Sequence, residues 1–143
     1  MLDSGPLGLL VAPKSNADIA AWLQDLKNSG TTVCVPEIIF YELRRELLRL
    51  RLTTAVTVLS KYVSILAYEP ITTSIVIRAS ELWADTRRQG RPTSDDKAID
   101  IDVLLAATAI EVMERGHDVL VATANVAHLS RFVDSATWQQ IRP

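Results

Sequence analysis

Short apolar segments alternate with longer helical patterns along the 143 residues of this chain, and that alternation limits the folds open to it. Segments rich in aliphatic and β-branched residues, typical of buried strands, occur at 31–35, 64–68 and 118–123, and a further short strand is predicted at 137–141. Strands separated by helices favour right-handed βαβ units and a central parallel sheet. Because no linker, repeat or low-complexity segment interrupts the pattern, we expect one α/β domain over residues 1–143.

The helices between these strands carry start and stop signals. Ser15 is a predicted N-cap for a helix that Gly30 ends. Thr72 or Thr73 is predicted to cap a helix over 74–88 that stops before Gly90. Further helices are predicted at 7–11, 36–50, 53–63 and from 99 or 100 to 114, whereas 91–98 is polar and contains a proline, which is typical of a loop.

The charge of the chain is uneven. A net charge of −2 does not by itself favour nucleic-acid binding, which needs basic surface. Arginines nevertheless crowd two segments, at positions 44, 45, 49 and 51 with only Glu46 opposing them, and at positions 87, 88 and 91. Two interpretations stay open, namely solvated helix faces or a basic rim around an acidic pocket.

Targeting signals and cysteine pairs are missing from the sequence. Cys34 is the one cysteine and lies in a strand-like segment, so we expect inert packing rather than a disulfide or zinc site. No apolar run reaches the ~18 residues of a membrane span, and no basic start precedes a long apolar stretch. We therefore expect a cytoplasmic protein with no membrane association.

Three carboxylates stand where aliphatic segments end or helices begin. Asp3 precedes an aliphatic stretch, Glu42 lies within the helical pattern over 36–50, and Asp102 directly precedes an almost wholly apolar run. Each has an ordinary structural explanation: helix capping for Asp3, pairing with Arg45 or Arg49 for Glu42, and dipole complementarity for Asp102. If the fold brings the three together, a divalent cation held by oxygen ligands would offset their repulsion.

Other chemistries find no support in the sequence. His117 and His128 are the only histidines, are not at metal-ligand spacing, and are interpreted as loop or surface residues. No glycine-rich phosphate loop, nucleophile elbow or Cys–His pair occurs. Zinc enzymes, P-loop enzymes and serine or cysteine hydrolases are accordingly disfavoured.

The three carboxylates and the segments around them resemble, in the same order along the chain, those of the PIN-domain nucleases. The resemblance is carried by Leu2-Asp3-Ser4, by Glu42, by the run Asp102-Val103-Leu104-Leu105-Ala106-Ala107-Thr108-Ala109, and by the segment Val121-Ala122-Thr123-Ala124-Asn125-Val126-Ala127-His128-Leu129. It implies a three-layer sandwich whose central parallel sheet has four or five strands and helices on both faces. It also implies an Mg²⁺- or Mn²⁺-dependent endoribonuclease. Size and layout are similar to the VapC-type toxins of bacterial VapBC modules, which implies a homodimer with RNA as substrate and a small antitoxin as partner.

The resemblance also assigns residues by position. Asp3, Glu42 and Asp102 would hold the metal, and Asn125 would complete the catalytic set where the family often has a fourth Asp. Support for this site is expected from Ser4, Thr123 and Asp100. On the helix that carries Glu42, Arg45 and Arg49 lie one turn apart and are predicted to guide RNA toward the metal, or else to form part of a protein-binding surface.

Two other interpretations stay open. Because Asn125 is neutral and only Met1 and Leu2 precede Asp3, the chain could be a PIN fold that binds RNA or a partner without cutting. A receiver-like signalling domain also gathers acids at strand ends, but it needs a lysine at the end of its last strand. Lys97 instead lies in a predicted loop, which argues against this interpretation.

Overall fold

The computed structural model describes residues 1–12, 16–93, 95 and 100–142, in which helices predominate. The helices are α1 (Ser4–Val11), α2 (Ala17–Asn28), α3 (Glu37–Arg49), α4 (Thr53–Ile65), α5 (Thr73–Arg88), α6 (Ile101–Glu114) and the short α7 (Val126–Leu129), followed by a 3₁₀ turn at Trp138–Gln140. The strands are β1 (Cys34–Pro36), β2 (Ala67–Glu69), β3 (Val121–Ala122) and β4 (Ser135–Ala136).

Most helix boundaries follow the signals in the sequence, but α1 begins at Ser4 and not at the predicted Leu7. Thr72 caps α5 by accepting a hydrogen bond from Ile75 N at 3.2 Å, as predicted. Glycines 30, 90 and 116 have positive φ angles of 81°, 68° and 89° just beyond α2, α5 and α6, which is the left-handed conformation that ends many helices. The predicted cap Ser15 lies outside the described residues, and Asn16 caps α2 instead, accepting from Asp18 N and Ile19 N.

The strands form two parallel two-stranded sheets in the described part of the chain, β1 with β2 and β3 with β4. The N-terminal segment lies between them: Leu2 N donates to Cys34 O at 2.9 Å, and Ala122 N donates to Met1 O at 2.9 Å. The predicted helical α/β architecture is therefore present, whereas the predicted central sheet of four or five strands is not confirmed. Each strand has only two or three residues, and the N-terminal segment adds one isolated bridge between Leu2 and Ala122.

The strand predicted at 137–141 was wrong. Parallel pairing with β3 involves Ser135 and Ala136, and the chain then turns into the 3₁₀ segment. Thr137 N donates to the Gln140 side chain at 3.2 Å, and the Trp138 ring lies 5.8 Å from that of Trp22. Side-chain capping and aromatic packing thus replace strand pairing at this end of the chain.

The core is built around α6, whose apolar sequence is explained by its position. Residues 105–109 are all buried, and the helix packs against α5 and α3. The described residues contain no helix that is both long and apolar enough to span a bilayer. This packing brings the N-terminal end of α6 close to the ends of the N-terminal segment and of β3.

Candidate metal centre

Asp3 is held on both of its carboxylate oxygens. Oδ1 accepts a hydrogen bond from Ser4 N at 2.6 Å and so caps α1, while Oδ2 accepts from Thr123 Oγ1 at 2.6 Å. The backbone N–H of Asp3 donates to Ala122 O at 2.9 Å, which ties this residue to the end of β3. The side chain is buried, with the residue only 8% exposed. Helix capping and a place in the acidic cluster are therefore compatible for Asp3.

Thr123 links the N-terminal segment to the turn that follows β3. Its hydroxyl donates to Asp3 Oδ2 and accepts from Asn125 N at 2.8 Å, and the residue is buried. The expected supporting role of Thr123 thus has a specific geometry, since one hydroxyl positions both a carboxylate and the turn that carries Asn125.

We expect Thr123→Val to destabilise the protein by about 1–3 kcal/mol, because the buried Asp3 Oδ2 and the partly buried N–H of Asn125 lose their shared partner together. Thr108→Val is the matched control: Thr108 is equally buried, but its hydroxyl bonds only to Leu104 O within α6. That control should change the free energy of unfolding by less than about 1 kcal/mol. Urea unfolding of both variants measures the difference, and equal costs would contradict the assigned role.

Glu42 projects from α3 into this neighbourhood with one oxygen uncompensated. Its Oε2 is buried and has no hydrogen-bond partner among the described residues. Burial raises the pKa of the Glu42 carboxyl, and the charges of Asp3 and Asp102 raise it further, while the Ser4 hydroxyl and Arg45 act in the opposite direction. Ser4 therefore contacts the site through both its backbone N–H and its hydroxyl.

Asp102, in the first turn of α6, shares this environment. Burial raises its pKa, and so do the charges of Asp3 and Asp100, while a hydrogen bond from His128 lowers it. Because the charge of Asp3 acts on both Glu42 and Asp102, the fold brings all three carboxylates into one electrostatic neighbourhood. Among the described residues, however, no three acidic, histidine or cysteine side chains are already arranged as a ready-made metal site.

Two side chains from the α7 region reach the same oxygen of Asp102. Asn125 Nδ2 donates to Asp102 Oδ2 at 3.5 Å, at the long limit for a hydrogen bond, and His128 Nδ1 lies 3.2 Å from that oxygen. His128 is exposed, as predicted, but its contact with Asp102 was not predicted. The available signal was its spacing, since a residue three positions after Asn125 lies on the same side of a helical turn.

Asp100 has a structural role at the start of α6. It is buried, caps α6 by accepting from Val103 N at 3.4 Å, accepts a hydrogen bond from Thr93 Oγ1, and lies 3.9 Å from Arg87 Nη1. Its connection to the site is electrostatic, because its charge contributes to the raised pKa of Asp102. The support expected from Asp100 is thus indirect.

The two arginines predicted to guide RNA differ in their surroundings. Arg49 forms an exposed pair with Glu46 at 2.5 Å, so its charge is largely offset. Arg45 lies over the Tyr41 ring, 5.4 Å from the centroid, and its charge lowers the pKa of Glu42. Arg45 is therefore the better placed of the two to act near the carboxylates.

The donors present suit a hard divalent cation. Asp3, Glu42 and Asp102 offer carboxylate oxygens, which Mg²⁺ and Mn²⁺ prefer over sulfur or imidazole ligands. The buried Glu42 Oε2 without a partner is the atom that such an ion would satisfy. A cation would also reverse the unfavourable interactions that raise the pKa values of Glu42 and Asp102.

Comparisons with known proteins identify the family and the fold. The family model described as PIN domain matches residues 1–129. Similar solved structures include VapBC2 from Rickettsia felis bound to a promoter DNA fragment, with a TM-score of 0.77 and 17% identity over 96% of this chain and 97% of that chain. VapBC-1 from nontypeable Haemophilus influenzae matches with a TM-score of 0.73 and 16% identity over 98% of both chains.

DNA-bound VapBC from Salmonella typhimurium gives a TM-score of 0.72 with 20% identity over 96% of both chains. The comparison with curated protein sequences gave no match. At such identities the structural likeness establishes a shared fold, and the family model supplies the assignment. Because that model matches nearly the whole chain, the protein belongs to the PIN domain family.

Proposed function

We propose that this PIN domain is a divalent-metal-dependent endoribonuclease that serves as the toxin of a toxin–antitoxin module. The observation that carries the proposal is the buried Glu42 Oε2, which has no hydrogen-bond partner in the described residues although it lies in the electrostatic neighbourhood of Asp3 and Asp102. A buried carboxylate oxygen without a partner is costly unless a donor or a cation satisfies it. Further support comes from the similar structures, which are VapBC complexes.

In this proposal Asp3, Glu42 and Asp102 hold the metal. A bound Mg²⁺ or Mn²⁺ would orient water, lower its pKa and neutralise charge on the scissile phosphate. Ser4 and Thr123 keep the Asp3 carboxylate in place through one hydrogen bond to each of its oxygens. In the metal-free protein burial raises the pKa values of Glu42 and Asp102, and a bound cation would favour the charged carboxylates that hold it. Asn125 carries no charge and can donate its amide N–H to a phosphate oxygen.

The test is cleavage of a structured RNA with Mn²⁺ or Mg²⁺, beside the same reaction with excess chelator. We expect cleavage only with metal, because the carboxylates alone would repel the phosphate backbone. RNA binding should be measured in parallel by fluorescence anisotropy. Binding without cleavage at any metal concentration would rule out the nuclease.

A second candidate function is a PIN module that binds RNA or protein without cutting. The observation in its favour is Asn125, which occupies the expected fourth acidic position and directs its amide toward Asp102 instead of adding a carboxylate. Metal would then bind more weakly, with one less negative charge around it. The substitution Asn125→Asp, which supplies a fourth carboxylate, distinguishes the two candidate functions. A weakened nuclease should gain cleavage activity, and a module that only binds should not.

A small antitoxin is the proposed protein partner, and a homodimer is the proposed assembly. An open groove of about 650 Å³ beside α3 has an apolar lining that includes Phe40, Leu48 and Val76, together with Arg44 and Arg45. Leu48 and Val76 are half-exposed, which suits the apolar face of an amphipathic segment, and the arginines suit acidic residues on that segment. The similar structures from Rickettsia felis, Haemophilus influenzae and Salmonella typhimurium are all VapBC complexes, which agrees with a partner of this kind.

Replacing Arg45 and Arg49 together by Ala should weaken RNA binding at low salt. Each lost phosphate contact lowers the slope of log affinity against log salt by about 0.7 for a single strand. We expect Arg45 to account for most of the change, because Arg49 is paired with Glu46. Fold stability should change by less than about 1 kcal/mol, since exposed ion pairs contribute little.

Arg78→Ala is the control for this double substitution. Arg78 forms a comparable ion pair at 2.6 Å with Glu114, at the end of α6 opposite Asp102. It should leave both the affinity for RNA and the salt slope unchanged. If the double variant also keeps the wild-type salt slope, this face of α3 does not contact RNA and is better explained as a protein-binding surface.

A further inference from the structure

His128 is the side chain whose position the proposed function leaves unexplained. It is exposed on the short α7, with its side chain 46% accessible, yet its Nδ1 lies 3.2 Å from Asp102 Oδ2. A contact this exposed contributes little to stability, about 0–1 kcal/mol. A functional role of this contact would therefore lie in its effect on the Asp102 carboxylate.

The contact is selective for one nitrogen and one oxygen. A carboxylate oxygen can only accept, so Nδ1 must carry the proton that is donated to Oδ2. Asn125 Nδ2 approaches the same Oδ2 at 3.5 Å, so the hydrogen bonds of both side chains to Asp102 are made to this oxygen. The shorter contact, from His128, favours one orientation of the carboxylate about its Cβ–Cγ bond, and Oδ1 stays available to a ligand.

The backbone around α7 explains how the Asn125 and His128 side chains both reach Asp102. Asn125 occupies the N-cap position of α7 without using its side chain as a cap, and His128 follows three residues later on the same side of the turn. The turn itself is fixed by the hydrogen bond from Asn125 N to the buried Thr123 hydroxyl, which also bonds to Asp3. The orientation of Asp102 is thereby coupled to the anchoring of Asp3.

We propose that His128 is a positioning residue for the metal ligand Asp102, acting through an Nδ1–H hydrogen bond to Oδ2. The inference rests on the proposed metal-dependent function of this site. Residues that orient a ligand in this way typically contribute 10–100-fold to metal affinity. His128 itself contacts neither RNA nor metal in this arrangement.

The test is Mn²⁺ affinity by isothermal titration calorimetry, measured without RNA. His128→Asn places an amide N–H near the position of Nδ1, whereas His128→Gln places it near the position of Nε2, and His128→Leu removes the donor. We expect Mn²⁺ to bind about 10–100-fold more weakly to the Leu and Gln variants and within a few-fold of wild type to the Asn variant. Rescue by Asn alone would identify a hydrogen bond from the Nδ1 position, which a merely structural role would not produce.

His117→Leu is the matched control. His117 is likewise exposed but lies among the residues of a separate cavity, with Asp118 and Leu120 at the start of the segment leading into β3. It should leave Mn²⁺ affinity unchanged, and thermal melting should confirm that every variant is folded. Wild-type Mn²⁺ affinity in His128→Leu, or equal losses in the Asn and Leu variants, would overturn the inference and leave the proposed function intact. Absence of Mn²⁺ binding to the wild-type chain would overturn both.

Discussion

Replacing Asp102 by Asn is expected to lower metal-dependent RNA cleavage by about a thousandfold or more. The substitution keeps the size of the side chain but removes the carboxylate at the N-terminal end of α6, within the electrostatic reach of Asp3. Metal-ion stabilisation of developing charge contributes several kcal/mol to such reactions, and each 1.36 kcal/mol corresponds to about tenfold in rate. Single-turnover cleavage of one labelled RNA measures the loss.

Asp25→Asn makes the same change of charge on the exposed face of α2 and should retain wild-type cleavage. The fold should survive Asp102→Asn, because α6 is capped by Asp100 and held by its apolar face. A folded Asp102→Asn variant that cleaves RNA at the wild-type rate would contradict the assignment of the metal centre.

Glu42→Gln should raise the stability of the metal-free protein and weaken its binding of metal. In the metal-free protein, burial and neighbouring charge raise the pKa of Glu42 above its ordinary value of 4.5, so the charged carboxylate destabilises the fold at neutral pH. Removing that charge should increase the free energy of unfolding. With Mn²⁺ present the order should reverse, because wild type gains about 2.7 kcal/mol at a concentration one hundred times its Kd, while a hundredfold weaker variant gains only about 0.4 kcal/mol.

The pH dependence of this effect has a defined sign. A carboxyl whose pKa is raised on folding binds its proton more tightly in the folded state, so its destabilising effect is full above the folded pKa and disappears as the pH falls toward 4.5. On acidification through this window, the stability of the metal-free wild type should therefore rise relative to that of Glu42→Gln. In saturating Mn²⁺ the trend should invert, because protons compete with the metal.

Thermal melting between pH 4.5 and 8, with and without Mn²⁺, measures both effects. Glu81→Gln, an exposed substitution on α5, is the control and should follow wild type throughout. If Glu42→Gln destabilises the metal-free chain at neutral pH, the uncompensated charge inferred for this carboxylate is incorrect.

Local signals were sufficient for most of the helices. Caps, glycine stops and apolar periodicity act within one or two turns, so the bounds of α3, α5 and α6 agree with prediction to within a residue or two. The strands were harder to predict, because two- and three-residue segments owe their pairing to partners far along the chain. The error at 137–141 arose in this way, since an aromatic and polar stretch suited either a strand or the observed turn.

By itself the sequence determined which residues could supply metal chemistry, because carboxylates placed where apolar segments end or begin remain visible without a structure. Only the tertiary structure decided their roles. Asp100 became a buried cap, Glu42 kept an unpartnered oxygen, and His128 reached Asp102 across 26 positions of sequence. Such contacts depend on how α3, α6 and α7 pack, and packing is determined by the sum of distant apolar contacts that no local pattern encodes.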